Sequence, residues 1–70
     1  MFKSKIASLI DNAVQDCITF GSGKARHYDN GTTIDVEAVW AESETEIEIT
    51  IFENCAIRFS FTEEVPEQFR

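Results

Sequence analysis

The sequence predicts an α+β fold, with one N-terminal helix packed on a four-stranded antiparallel β-meander in the order 1-2-3-4. Three observations carry that expectation. Apolar residues recur every three or four positions up to residue 20, then every second position from residue 24 to residue 62. Glycine or asparagine stands where the period changes and at two of the later reversals, in Gly21-Ser22-Gly23, Asn30-Gly31 and Asn54. An apolar content of 43%, with six Phe and one Trp, exceeds what an acidic disordered chain contains.

Seventy residues make a single domain, 1–70. A domain of this size buries only about 60% of the surface its unfolded chain exposes, so its stability is expected to be small.

The helix is expected from about residue 3 to residue 20. Phe2, Ile6, Leu9, Ile10, Ala13, Val14, Cys17 and Ile18 form one broad stripe, the arrangement that a 3.6-residue period buries on one side. Gly21 then offers the left-handed conformation that most easily ends a helix.

Strands follow at about 24–29, 32–41, 46–52 and 55–62, and residues 63–70 read as a tail because Pro66 has no N–H for a ladder. Asn30-Gly31 suits the two positive φ angles of a type I′ hairpin turn. Centring the first hairpin there puts Arg26 opposite Asp35, Lys24 opposite Glu37 and His27 opposite Ile34. The second hairpin, turning near Ser43 and Glu44, aligns Trp40 with Ile47, Ala38 with Ile49 and Val36 with Ile51. For the third, a loop of three residues centred on Asn54 opposes Ile49 with Phe59 and Ile51 with Ile57. A two-residue loop at Glu53-Asn54 would put Arg58 opposite Ile49, on the apolar face. Cys55, Ile57, Phe59 and Phe61 are therefore expected on the helix side, and Val39, Phe52 and Tyr28 on the wet side.

No apolar run is long enough for a signal-peptide core, since Asp11 and Asn12 interrupt the first one. No stretch approaches the ~20 apolar residues of a membrane span. A cytoplasmic protein is expected, with Cys17 and Cys55 reduced and packed inside.

Charge is the strongest functional signal. Residues 35–67 hold ten carboxylates and one cation, Arg58, for a charge of −9, whereas residues 1–34 sum to +1. Segregation on that scale makes a directed field that attracts basic partners and repels nucleic acid. With Asp35 and Glu37 facing Arg26 and Lys24, the unpaired charge falls on Glu42, Glu44, Glu46 and Glu48, with Glu53 at the far turn. Alternate strand positions lie ~6.8 Å apart, twice the ~3.4 Å charge spacing along one DNA strand, so such a row can present a periodic anionic ladder. Phe52 and Val39 among these acids supply the apolar centre that many interfaces have.

Chemistry has little support in the residue inventory. His27 is the single histidine, and no motif joins a nucleophile to an orienting base. Asp29-Asn30-Gly31 lacks the twelve-residue spacing of a calcium loop, and Gly21-Ser22-Gly23-Lys24 lacks the spacing of a phosphate loop. No catalytic residue, metal site or cofactor is expected.

A small, compact, acidic α+β chain of this kind resembles the phage and mobile-element inhibitors of the anti-CRISPR or DNA-mimic type, in size, charge and layout. The resemblance implies a non-enzymatic inhibitor in the host bacterial cytoplasm. Its acidic sheet surface would occupy the basic cleft of a nucleic-acid-binding protein, a CRISPR effector among the cases, without itself binding nucleic acid. Asp35, Glu37, Glu42, Glu44, Glu46, Glu48 and Phe52 are the partner-binding candidates. The alternative expectation is a regulatory interaction module, a homodimer or an antitoxin-like partner, whose acidic face is only solvated.

Overall fold

The computed structural model describes residues 5–70. One helix, α1 (Lys5–Phe20), packs on a four-stranded antiparallel sheet in the order β1-β2-β3-β4. The strands are β1 (Ser22–Asp29), β2 (Thr32–Trp40), β3 (Glu46–Glu53) and β4 (Ala56–Glu64), and a 3-10 turn covers Glu67–Phe69. Residues 3 and 4 of the expected helix, and Phe2 of its stripe, lie outside the described residues.

The link between α1 and β1 dictates how the two layers meet. Helix and strand are joined by Gly21 alone, at φ 97°, whose N–H donates to the Cys17 carbonyl at 2.8 Å. So short a connection folds α1 back over β1. Gly23 then lets the layers approach closely, because a Cβ there would stand 2.0 Å from the Ala13 carbonyl oxygen. Trp40 fixes the same end of the helix by donating its indole N–H to the Cys17 carbonyl at 3.3 Å.

The core lies between Leu9, Ala13 and Cys17 of the helix and Val36, Ala38, Ile47, Ile49 and Ile51 of the two central strands. The first two hairpins have the expected register, including Arg26 opposite Asp35, Lys24 opposite Glu37, Trp40 opposite Ile47 and Val36 opposite Ile51. Asn30 and Gly31 take φ 50° and 79° in the first turn.

The third hairpin departs from expectation. Its loop has two residues, Asn54 and Cys55, both with positive φ, and Glu53 pairs with Ala56. A bulge between Ile51 and Phe52 on the β3 side, where Arg58 is the extra residue of β4, then shifts the ladder by one. Ile49 therefore faces Phe61 instead of Phe59, and Ile51 faces Phe59 instead of Ile57. The even loop and the bulge together restore the match of apolar faces that the sequence pattern demanded of an odd loop. Ile57, before the bulge, lands opposite Phe52 on the outer face, and Cys55 is exposed at the turn while only Cys17 is buried.

Two further differences bear on function. The chain after residue 62 is not a loose tail: β4 continues to Glu64, the Val65 N–H donates to the Thr45 carbonyl at 2.9 Å, and Val65 joins the core at 4% exposure. The helix also does not cover the whole inner face. It packs on β1 and β2 and only touches β3, leaving every residue of β4 exposed. A helix about 10 Å across spans about two strands spaced ~4.8 Å apart, so one helix cannot roof four.

Candidate functional site

The register sorts the outer face into rows. From one end to the other they read Arg26, Asp35, Phe52, Ile57; then Lys24, Glu37, Thr50, Ser60; then Ser22, Val39, Glu48, Thr62; and last Glu46 opposite Glu64. The candidate residues consequently fall into two groups.

Asp35, Glu37 and Phe52 share a shallow depression of 440 Å³, lined also by Lys24, Arg26 and Cys55. Its charges are mixed. The Arg26 guanidinium donates through Nε to Asp35 Oδ1 at 2.6 Å and through a second nitrogen to Oδ2 at 3.5 Å. That hydrogen bond and the charge of Asp35 push the arginine pKa above its ordinary value. Glu53 is also neutralised, by an ion pair with Arg58, so it does not belong to the unpaired acid.

Glu42, Glu44 and Glu46 form the second group, at the opposite end of the sheet, with Glu48 between the groups in the row next to Glu37. Six residue steps along extended strand, about 20 Å, separate Glu46 from Phe52. The row is broken at the turn, where Glu44 takes φ 60° and donates its N–H to the Ala41 carbonyl at 3.0 Å. Glu42 and Glu44 thus sit on the connecting loop, while Glu46 and Glu48 project from the outer face of β3.

β4 brings additional acid to this end. Glu64 pairs with Glu46 and Glu63 with Ile47, so five carboxylates surround one end of the sheet, with Glu48 one row in and Glu67 just beyond. Sequence reasoning placed Glu63 and Glu64 in a tail. The alternation Phe59-Ser60-Phe61-Thr62 breaks at Glu63, and the one available signal was the return of an apolar residue at the same parity, Val65, before Pro66.

These carboxylates line the rim of the sheet on two faces and a loop, and they do not converge on a point. Among the described residues, no group of three or more His, Cys, Asp or Glu is placed to hold a metal ion. No helix among them is long and apolar enough to cross a membrane. His27 faces Ile34 on the helix side of β1 and is half-buried. No protein-family model, curated protein or solved structure matches this chain.

Proposed function

We propose that this chain is a non-enzymatic binding protein whose acidic end occupies a basic, phosphate-binding surface of a nucleic-acid-binding protein and so competes with DNA or RNA. The observation that carries this reading is Glu64 standing opposite Glu46 in the β3–β4 ladder, with Glu48, Glu42 and Glu44 close by. Like charges directly opposite one another destabilise a sheet. A cationic partner surface compensates that repulsion on binding.

The contact surface is therefore Glu42, Glu44, Glu46 and Glu48 extended by Glu63 and Glu64. Asp35, already bonded to Arg26, contributes little attraction for a further cation. Glu37, facing Lys24, contributes less than the unpaired acids. Phe52 serves as an apolar contact only for a partner wide enough to reach across the outer face. The setting is a bacterial cytoplasm, and a CRISPR effector is one protein with the basic cleft required.

The test is capture from lysate at low and moderate salt, followed by competition with duplex DNA. A nucleic-acid-binding protein that salt releases, that DNA displaces, and that ignores the Glu46→Lys, Glu48→Lys double variant supports the proposal. Capture indifferent to salt and to both reversals refutes it.

A further inference from the structure

At the acidic end, the helix and the segment that follows β4 border a groove of 160 Å³, lined by Val14 and Ile18 of α1, Ile47 of β3, and Val65, Pro66 and Phe69. The sequence after β4 creates it. Pro66 has no N–H to extend the ladder, and the Phe69 N–H donates to the Pro66 carbonyl at 2.9 Å, so the chain turns and brings Phe69 to the side on which α1 lies. Glu63 and Glu64 line the same groove. Glu63 stands opposite the buried Ile47, on the helix side of the sheet. Among the described residues no cation pairs with either carboxylate, and none lines the groove.

We propose that this groove receives one arginine side chain of a basic partner surface, its methylene stem against Val14 and Ile18 and its guanidinium between Glu63 and the ring of Phe69. The inference rests on the reading that the acidic end meets a basic surface, and it names the residue type that anchors the contact. Size limits the occupant first: 160 Å³ is below the roughly 300–1,000 Å³ of sites that enclose whole small ligands. One side chain fits.

Chemistry then selects among side chains. An aliphatic or aromatic occupant would match the apolar lining but bring no counter-charge to Glu63 and Glu64. Lysine and arginine do both, because they lay their methylenes along apolar surface and keep the charged head at its edge. Between these two, arginine has the planar fork that matches a carboxylate and stacks on an aromatic face, and its guanidinium is more weakly hydrated than an ammonium. Phe69 is 53% exposed, so its ring is accessible to such a cation.

Titrating the isotope-labelled full chain with N-acetyl-arginine methylamide, read by amide NMR, tests the proposal without the partner. Saturable shifts are expected at Val14, Ile18, Val65 and Phe69 at millimolar probe. The citrulline analogue keeps the shape and loses the charge, and it should bind about 3- to 30-fold more weakly, the combined loss of one exposed ion pair and one exposed cation–π contact. Phe69→Leu, which keeps an apolar wall and removes the ring, should weaken the arginine probe about 2- to 5-fold. Equal binding of the citrulline or the lysine analogue overturns the proposal, as do shifts centred on Glu46 and Glu48 of the outer face. These comparisons among probes hold even if a variant misfolds. Salt-released capture of a basic partner that Phe69→Leu with Glu63→Gln leaves undiminished would overturn the arginine anchor and spare the proposed function. Groove binding of the arginine probe beside capture indifferent to salt would support the anchor and overturn that function.

Discussion

Glu46 and Glu64 stand opposite each other where the β3–β4 ladder ends, and neither has a cation beside it in the register. This is the reverse of the arrangement at Arg26 and Asp35, where opposite charges meet at 2.6 Å. Like charges directly opposite destabilise a sheet in general, and opposite charges stabilise it slightly. If the Glu46–Glu64 repulsion is felt in the unbound fold, Glu64→Gln should stabilise the chain by ~0.2–1 kcal/mol. Urea unfolding should show a higher midpoint at low salt, with the gain shrinking as salt screens the pair. A midpoint unchanged at low salt would mean that the two carboxylates diverge into water and that the repulsion is negligible.

Gly23 provides a test of the layer geometry. A methyl group there would sit 2.0 Å from the Ala13 carbonyl oxygen and 2.9 Å from Asp16 Cβ, both on the helix that must lie over β1. Gly23→Ala should therefore push α1 outward and destabilise the domain by about 1–3 kcal/mol or more, the usual range for overpacking. Gly31→Asn is the matched control, since Gly31 has open space at φ 79° and asparagine tolerates that region. Thermal melts of the two variants should separate clearly.

The contrast between these glycines shows where the sequence was informative. Period and turn chemistry specified the helix and two hairpin registers, because Asn30-Gly31 and the alternating Ile and Val positions each admit one solution, while the strand order followed only the default that consecutive antiparallel strands are neighbours. The third hairpin admitted two. An odd loop, and an even loop with a bulge, put the same faces together, and parity alone cannot distinguish them. That ambiguity hid the outward turn of Ile57, the exposure of Cys55 and the meeting of Glu64 with Glu46. Gly23 read as part of a helix stop because close approach of two backbones leaves no periodic trace. Coverage of β4 was equally illegible, since alternation marks an apolar face without saying whether anything lies over it.

The two cysteines report that third hairpin chemically. Cys55 is exposed in the turn, whereas Cys17 is buried, bonds weakly through Sγ to the Gly21 carbonyl at 3.7 Å, and has its pKa pushed up by burial. Thiolate is the reactive form, so Cys17 is protected by both access and protonation. Native protein at neutral pH should take up one equivalent of an alkylating reagent rapidly, at Cys55, and a second only in denaturant. The raised Cys17 value also makes folding weaken as pH climbs above the ordinary thiol range, because the unfolded thiol releases its proton first. Mass spectrometry after partial labelling would detect the alternative, two slow thiols, which an odd loop that packed Cys55 on the helix side would produce.

Val65 links stability to the acidic end. It follows β4 directly, is 4% exposed in the core cluster, and ties its N–H to the Thr45 carbonyl on the loop that carries Glu42 and Glu44. Val65→Ser should cost about 1.5–3 kcal/mol, the transfer value of a buried aliphatic side chain. Phe69→Ser, at a residue 53% exposed, should cost far less. Removing residues 65–70 should also free the end of β4 from the β2–β3 loop, separating Glu63 and Glu64 from Glu46. Hydrogen exchange would then report faster exchange at the Glu46 end of β3 while the Asn54 turn, whose side-chain Oδ1 accepts the Thr33 N–H at 2.9 Å, keeps its protection. An equal loss at both ends would instead mark Val65 as a contributor to global stability alone, and the acidic end would owe its shape to the β3–β4 ladder.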